Sequence, residues 1–397
     1  MKYILKALFF LQIIIYSPII FFIVIVWPLL RIRIGVIKSR SLGHIAIAEI
    51  YLCDKKFGLY KKNEIVLWYH HKQIANKYLL QKRKEQLIFF PGILLHPIRT
   101  LFYKFKFTHK HIYYKVDYDQ NGKIKKIIHD KARTNQEFLK QTTSSIKFSN
   151  DEIKTGNNYL KKNYINDNDK IVLFASRSPI YRHENFISVR NSKITTQIKA
   201  IKFVTKNDHK AIRFGRDKLD QFQIDSKNFF DYTFANHQSD FLDIYIFSKA
   251  RFVVCGTTGI NELATIMRIP ELLIDFTLFH ILPDRFNETY NPIILPKKIY
   301  SQSLGKYLSY KEIFEKKLFE VNIISDIPND LQLIDNSEDE ILEATKEMLE
   351  LLEHKLDLNV ERDKQSNFWN LYADIYGEKK DIIISPNFFE KNNKLFI

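Results

Sequence analysis

The sequence predicts an α/β protein with two domains, each built on a doubly wound parallel sheet, behind an apolar N-terminal segment. Three observations lead to this prediction. The chain has 397 residues, which suits two domains of ordinary size. Short apolar runs alternate with helical patterns along most of the chain, and this alternation is typical of parallel sheets. The chain also begins with a long stretch that carries no charge.

That uncharged stretch runs from Ala7 to Leu30, and only Gln12 and Ser17 are clearly polar in it. Because about 20 apolar residues cross a bilayer, we expect residues 1–30 to form a membrane anchor rather than a cleaved signal peptide. Pro18 lies in the middle, so one kinked spanning helix and a hairpin that re-enters the membrane both fit the pattern. A buried core helix is the alternative, although such helices usually have a polar face.

The first domain is expected over residues 31–150. A β-type run from Ile32 leads into a polar loop with Gly43 and His44, and apolar residues at helical spacing follow. A second strand is expected at Ile65–Trp68, ahead of a basic amphipathic helix. Strands and helices that alternate in this way form a parallel sheet whose functional loops lie at the carboxyl ends of the strands.

Aromatic and basic residues alternate between residues 100 and 130. Asp117 and Asp119 have the spacing of a metal-binding carboxylate pair, but Asp-Gln-Asn-Gly between two strand-like runs is a hairpin turn signal. A calcium loop is excluded because Ile128 occupies its twelfth position, where a bidentate glutamate is required. We therefore expect a β-hairpin here and no metal site.

The second domain is expected over residues 151–397, after a polar linker at 150–169. Its apolar runs are again separated by helical patterns, which indicates another parallel sheet. The expected strands are KIVLFASR, KAIRFG, FFDYTF, RFVVCG and ELLIDF, and the expected helices are Thr195–Thr205, Asp240–Ser248 and Ile260–Met267.

The net charge of +16 suits an anionic partner such as nucleic acid, lipid or a phosphorylated substrate. No nucleic-acid recognition motif accompanies the charge, so nucleic acid is not the expected partner. A membrane protein that binds nucleic acid through residues 100–130 remains a further hypothesis. Cys53 and Cys255 lie in separate apolar patterns, which indicates buried thiols in a reducing compartment rather than a zinc site.

Candidate binding residues follow several expected strands of the second domain. Arg177 comes after the first of these strands, Arg213 lies within the second, and the Gly-Thr-Thr-Gly loop at 256–259 follows a third. Arginine clamps phosphate oxygens with two parallel hydrogen bonds. A small-residue corner that opens a helix offers backbone N–H groups, hydroxyls and the positive end of the helix dipole. This combination predicts a site for a nucleotide diphosphate.

These segments resemble those of a group of bacterial glycosyltransferases with two Rossmann-like domains that face a cleft, the GT-B architecture. The segments are FASRSPIY, SVRNSKI, AIRFG, SDFLDIYIFSKARFVVCGTTGINELA and LPKK, followed by YLSYKEIFE and FWNLY. In the first domain, IRIGVIKSRSLGHIA resembles the family's first strand and Gly-His loop. The second half is also similar, more distantly, to fucosyltransferases. The resemblance covers most of the chain after Leu30.

The resemblance implies which residues meet the donor. Asp240 and Asp243 share a helix face, so one is expected at the ribose or base and the other in a local pair. The family usually has aspartate after the first arginine, whereas this chain has Ser178, so its donor choice is expected to differ. The expected donor-binding set is Arg177, Arg190, Asn191, Arg213, Asp240, Gly256, Thr257, Thr258, Gly259 and Asn261.

The function implied is a membrane-associated, metal-independent glycosyltransferase on the cytoplasmic face of the inner membrane. It would move a hexose or deoxyhexose from a nucleotide-diphosphate sugar to a lipid-linked or surface-polysaccharide acceptor, with no cofactor. His44 is the expected general base, since imidazole titrates near neutral pH. His70 or His71 could take that role, and His44 could instead have a structural role. The alternative function is a catalytically degenerate sugar-nucleotide-binding scaffold in a polysaccharide assembly complex.

Overall fold

A computed structural model describes most of the chain, in two compact units. Unit 1 comprises Met1–Ser145 and unit 2 comprises Ile146–Ile397. Both units are α/β and each contains a parallel sheet, as the sequence predicts. The described residues are 2–45, 47–113, 115–118, 124–128, 139–177, 187–282, 290, 292–377 and 382–396.

Unit 1 is built on a parallel sheet of three strands in the order β1-β2-β3. The predicted succession of strand, loop and helix is confirmed. The hairpin is also confirmed, because two further strands pair antiparallel on either side of the expected turn. The strands are β1 Arg31–Ile37, β2 Glu64–His70, β3 Ile88–Phe89, β4 Lys115–Tyr118 and β5 Ile124–Ile128, and the helices are α1 Lys2–Ile25, α2 Leu42–Ile45, α3 Ile47–Lys56, α4 Lys77–Gln86 and α5 Gly92–Lys104.

Helices cover both faces of the unit 1 sheet, because side chains alternate along its strands. Ile34 of β1 points to one face and packs in a core cluster with Ile23 of α1 and Phe102 of α5. On the other face, the ring of Trp68 in β2 lies 5.4 Å from that of Tyr51 in α3. This arrangement leaves the carboxyl ends of β1 and β2 as the edge on which loops converge.

The expectation of a membrane-spanning anchor is not supported. Within the described part of the chain, no helix combines the length and the apolar character needed to cross a bilayer. One side of α1 packs on the rest of unit 1. Ile23 is buried there, and the Tyr16 hydroxyl donates to the Ile93 carbonyl at 3.0 Å. Phe21 and Phe22, on the rest of its surface, are exposed.

Unit 2 is built on a parallel sheet of seven strands in the order β15-β11-β10-β9-β6-β7-β8. All five predicted strands are present. Every residue of β10 is buried, which fits a sheet with both faces covered. The strands are β6 Lys170–Ala175, β7 His209–Arg213, β8 Phe229–Asp231, β9 Ala250–Cys255, β10 Glu271–Phe276, β11 Ile293–Pro296 and β15 Ile383–Ile384, and a small antiparallel sheet contains β12 Lys298–Ser301, β13 Lys306–Tyr307 and β14 Leu331–Ile334.

The three predicted helices of unit 2 are confirmed to within a few residues. Within the described residues of unit 2, the helices are α6 Asn150–Lys162, α7 Ile198–Lys206, α8 Asp240–Ser248, α9 Gly259–Met267, α10 Tyr310–Glu315, α11 Glu338–Leu352, α12 Leu358–Lys364, α13 Ser366–Tyr376 and α14 Pro386–Lys391.

The expectation of a polar linker at 150–169 is wrong, because most of that segment is the helix α6. Ser149 and Glu152 close a capping box at its start, which satisfies two backbone N–H groups. Gly156 then lets the helix lie directly against the ring of Tyr245 in α8, since a side chain at this position would overlap that ring. The polar sequence therefore gave no apolar pattern from which to predict this helix, and the helix packs through the close approach of Gly156 to Tyr245.

Candidate functional site

The candidate site lies where the strand order of unit 2 reverses. From β6 the chain runs outward through β7 and β8, and it then returns to place β9 on the other side of β6. Loops that leave two adjacent strands in opposite directions open a crevice at their carboxyl ends, where α/β proteins bind ligands. Ala175 pairs with Cys255 at the last position of β6 and β9, so the chain leaves both strands at the same level.

Arg177 is the second residue after β6, and only 5% of its surface is exposed. Its Nε donates to Oδ1 of Asn191 at 3.1 Å, and its carbonyl accepts from the N–H of Ser192 at 3.0 Å. The turn at 188–192 is therefore bound back onto the end of β6. The structure thus joins Arg177 to the turn that contains Arg190 and Asn191, which follow it by 13 and 14 residues.

Gly256 brings the loop after β9 against the same turn. A Cβ atom at this position would lie 3.2 Å from Oγ of Ser192 and 3.8 Å from the carbonyl oxygen of Arg190. The first of these distances is tighter than most real Cβ contacts. The backbone at 256 therefore packs closely against the turn at 190–192, at the strand ends where the sequence predicts a phosphate group.

Several oxygen atoms at this edge of the sheet are buried without a hydrogen-bond partner among the described residues. An unmade bond of this kind costs about 1–3 kcal/mol, and a ligand that completes it recovers that free energy. Gln197 is fixed at the site by its amide, which donates to the Ala175 carbonyl at 3.0 Å. The atoms are Oγ of Ser192, Oε1 of Gln197, Oγ1 of Thr257 and Oγ1 of Thr277.

The start of α9 uses its polar side chains to cap the helix. Oγ1 of Thr258 accepts from the N–H of Ile260 at 3.1 Å, and the N–H of Thr258 donates to Oδ1 of Asn261 at 2.5 Å. The amide of Asn261 also donates to Oε1 of Glu271 at 3.2 Å. Thr258 and Asn261 therefore shape the loop, while Gly256 and Thr257 directly follow β9. Gly259 is the first helical residue.

Lys297, immediately after β11, is a site residue that the sequence reasoning did not single out. It is buried, and its Nζ donates to the Asn191 carbonyl at 2.7 Å and to Oδ1 of Asp335 at 2.6 Å. Through Asn191 it is coupled to Arg177. The segment LPKK contained the only signal, a lysine directly after an apolar run.

Asp275 lies within β10, behind the crevice, and is completely buried. Its Oδ1 accepts from the N–H of Asn336 at 2.7 Å, and Oδ1 of Asn336 accepts from its N–H at 2.6 Å. Burial raises the pKa of Asp275 to about 7, against the opposing charge of Lys297. The environment of Lys297 therefore includes a carboxyl group that changes charge near neutral pH.

The contacts of Arg213 differ from those expected of a residue that binds the sugar-nucleotide donor. Its guanidinium donates to the carbonyls of Asp217, Leu219 and Asp220, and lies 3.5 Å from Oδ2 of Asp231. It is also stacked between two phenylalanine rings at 5.0 and 5.1 Å. These contacts indicate that Arg213 organises the loop after β7.

Asp240 and Asp243 both pair with Arg216, each at 2.7 Å. Asp243 also accepts from the Tyr232 hydroxyl at 2.7 Å. The helix α8 is capped by Ser239 instead, whose Oγ accepts from the N–H of Leu242 at 3.1 Å. Both carboxylates therefore take part in local pairs, and the expected role of one of them at the ribose or base stays a prediction.

Histidines gather at the carboxyl end of the unit 1 sheet. His44 lies in α2, soon after β1, and His70 ends β2 opposite Ile37. His71 follows, and burial together with nearby positive charges lowers its pKa, so that it is neutral at pH 7. His96 of α5, which the sequence reasoning missed, lies with Nδ1 3.0 Å from the Tyr69 hydroxyl.

No group of three or more metal-ligating side chains occurs in the part of the chain that the structure describes. Asp119 and Ser178 lie outside the described residues. The structure therefore tests neither the metal-binding pair of Asp117 and Asp119 nor the effect of having Ser178 where the family usually has aspartate. Cys53 and Cys255 are buried and form no disulfide within the described residues, as predicted. Burial and the nearby Glu271 carboxylate raise the pKa of Cys255, which keeps it a thiol.

No family model and no curated protein matches the sequence. Solved structures that match include a family 9 glycosyl transferase from Veillonella parvula, with 12% identity over 62% of this chain and 80% of that chain and a TM-score of 0.39. The E. coli ADP-heptose heptosyltransferase II matches with 9% identity over 61% of this chain and 84% of that chain and a TM-score of 0.35. The E. coli heptosyltransferase WaaC with ADP matches with 11% identity over 61% and 86% and a TM-score of 0.31. The expected likeness to fucosyltransferases is not confirmed. Because these TM-scores lie below 0.5, the residues of the chain itself have to support any function.

Proposed function

We propose that the chain is a glycosyltransferase that binds a nucleotide-diphosphate sugar at the carboxyl end of the unit 2 sheet. The observation that carries this proposal is the convergence of Arg177, Asn191, Gly256 and Thr257 at the point where the strand order reverses. Such a crevice is where parallel α/β sheets bind nucleotides. We assign the binding of the acceptor to unit 1.

The crevice offers the chemistry that a departing nucleoside diphosphate requires. The guanidinium of Arg177 supplies positive charge, and the hydroxyls of Ser192 and Thr257 are donors whose oxygens have no partner in the described part of the chain. The N-terminus of α9 adds its positive dipole. Donors that are fixed before the reaction stabilise the charge that develops on the leaving group. We assign this task to these groups and propose transfer without a metal.

The acceptor hydroxyl has to lose a proton as it attacks the anomeric carbon. We propose His44 as the base, with His71 as the alternative. The acceptor oxygen forms the new bond, the base takes its proton, and the donor C–O bond breaks with its electrons leaving on the diphosphate. The lowered pKa of His71 supports that alternative, because only a neutral imidazole can accept the proton.

We also propose that unit 1 associates with an anionic membrane surface through α1. Phe10, Ile14, Phe21 and Phe22 are each more than half exposed, and such a patch is unusual on a soluble surface. At the end of α1, cations surround the Trp27 ring, with Lys110 at 5.1 Å and Arg31 at 5.7 Å. Tryptophan beside cations suits the headgroup level of a bilayer. A lipid-linked acceptor, hexose or deoxyhexose as the sugar, and a cytoplasmic orientation belong to the same proposal.

The test is the release of nucleoside diphosphate from a panel of sugar nucleotides, with a membrane lipid extract as the source of acceptor. The wild type is expected to turn over at least one donor. Arg177→Ala removes the cation at the crevice and should lower kcat/KM by about 100-fold, the loss of one charged contact in the transition state. The folded state of each variant is checked by its thermal midpoint.

Arg251→Ala is the matched control. Arg251 lies in the same sheet at the opposite, amino end of β9, where it contacts His209 at 2.9 Å. It should leave kcat/KM within about threefold of the wild type, because it is remote from the crevice. If the wild type binds donors but releases no diphosphate, the scaffold function replaces the enzyme. If no donor binds, both proposals fail.

A further inference from the structure

A cluster of cationic side chains occupies the carboxyl end of the unit 1 sheet, apart from the proposed donor crevice. We propose that it binds a phosphate group, held by Arg99, His96 and the first turn of α5, with Lys38 adding charge. Assigning this phosphate to the acceptor rests on the proposed function. The binding of phosphate itself does not.

Hydrogen bonds that involve the buried Tyr69 and the half-buried Arg99 fix the geometry of the cluster. The Tyr69 hydroxyl, at the end of β2, is buried and lies 3.0 Å from Nδ1 of His96. Arg99, one turn further along α5, donates to the Tyr103 hydroxyl at 2.6 Å, and its Nε is buried without a partner among the described residues. His96 and Arg99 are thus positioned on one face of α5 next to the strand end.

The charge of the cluster is positive and is not neutralised locally. Lys38 and Arg99 are the permanently charged groups among the neighbours that lower the pKa of His71. Within the described residues, neither Lys38 nor Arg99 forms an ion pair. A concentration of positive charge that the fold leaves unpaired attracts an anion.

The start of α5 adds backbone donors to this positive charge. Gly92 lies over the end of β2, where a Cβ atom would be 3.3 Å from the Tyr69 ring and 3.6 Å from the His70 carbonyl oxygen. The N-cap residue is Pro91, which makes no side-chain hydrogen bond to the helix. Uncapped N–H groups and a guanidinium together match the several oxygens of a phosphate better than the two of a carboxylate.

The phosphate can belong to a lipid or to a soluble ester, and the surroundings favour a lipid. Ile93 and Leu94, in the same first turn of α5, are 78% and 43% exposed. Ile93 also contacts α1 through the Tyr16 hydroxyl. An alkyl chain attached to the phosphate would therefore find an apolar surface beside the cationic cluster, and a soluble ester would gain nothing from it.

The experiment measures the binding of three probes to the full-length protein by calorimetry. The probes are dodecyl phosphate below its micelle concentration, glycerol 3-phosphate and acetate. We expect both phosphates to bind more tightly than acetate, and dodecyl phosphate to bind most tightly. Arg99→Gln and His96→Asn should each weaken phosphate binding about tenfold, which corresponds to the loss of one charged hydrogen bond.

Lys84→Gln is the control, since Lys84 is exposed on α4 and its loss changes the net charge of unit 1 by the same amount as Arg99→Gln. It should leave the affinity unchanged. Equal affinity for the two phosphates would assign the site to soluble esters and still support it. The inference is overturned if acetate binds as well as phosphate, if no probe binds, or if Lys84→Gln weakens binding as much as Arg99→Gln. None of the probes contains a nucleotide, so failure here leaves the donor proposal intact.

Discussion

Thr257→Val is expected to stabilise the free protein and to weaken donor binding, two effects of opposite sign from one oxygen atom. Oγ1 of Thr257 is buried and has no hydrogen-bond partner among the described residues. Valine has nearly the same shape and replaces the hydroxyl by a methyl group. The substitution therefore removes a polar atom that costs free energy in the unliganded state, and with it a donor to the ligand.

The magnitudes follow from the burial of this atom. Relieving an unsatisfied buried hydroxyl should raise the free energy of unfolding by about 1–2 kcal/mol. For a unit of this size that corresponds to a rise in the thermal midpoint of roughly 2–8 °C. Losing a hydrogen bond to a charged phosphate should weaken donor binding by about 10- to 100-fold.

The assay combines thermal unfolding of the free variant with calorimetric titration by a sugar nucleotide. The adjacent Thr258→Val is the control, because the Thr258 hydroxyl already accepts from the N–H of Ile260. Loss of that cap should lower the free energy of unfolding by about 1 kcal/mol. The reasoning is refuted if Thr257→Val destabilises the free protein as Thr258→Val does and leaves donor affinity unchanged.

Two further predictions concern residues around the crevice. Arg213→Ala should lower the free energy of unfolding, measured in urea, by about 3 kcal/mol, because it leaves Asp231 unpaired. Donor affinity of the folded protein, measured by calorimetry, should stay within threefold of the wild type. A large loss of affinity with unchanged stability would instead place Arg213 in the donor site. The raised pKa of Asp275, about 7 against an ordinary 3.8, means that the folded state holds this proton more tightly than the unfolded state. Its contribution to stability is thus present near pH 4 and is lost as pH rises to 7, by about 2–4 kcal/mol. Asp275→Asn should flatten that part of the curve of unfolding free energy against pH, and an unchanged curve would contradict the assignment. Part of the slope that remains should come from Glu347, whose pKa burial also raises to about 7.

The fold was largely accessible from the sequence because it depends on local patterns. Apolar runs of strand length, such as those of β6 and β9, and the helical spacing of α8 follow from side-chain periodicity. The helix α6 was missed because it is polar, and it is fixed by a capping box and by the approach of Gly156 to Tyr245, a contact between distant segments. The packing of the N-terminal stretch was not accessible, because a continuous apolar run does not reveal that one side of it packs on the rest of unit 1.

The candidate site was only partly accessible, for the same reason. Strand-end position identified Arg177 and Gly256, since strand ends can be located from local patterns. Position alone could not show that the guanidinium of Arg213 donates to carbonyls of the loop that follows its own strand. Lys297 depends on a contact with Asn191, which lies 106 residues away, and no local pattern reports such a contact.

Hydrogen–deuterium exchange with and without a bound sugar nucleotide tests the central claim most directly. The account predicts that donor binding slows exchange at 188–197 and 256–260, the two sides of the crevice, and that this protection is lost in Arg177→Ala and kept in Arg251→Ala. Exchange at 217–222, the loop held by Arg213, should not change. Protection confined to 217–222, or to unit 1, would contradict the placement of the donor at the reversal of strand order.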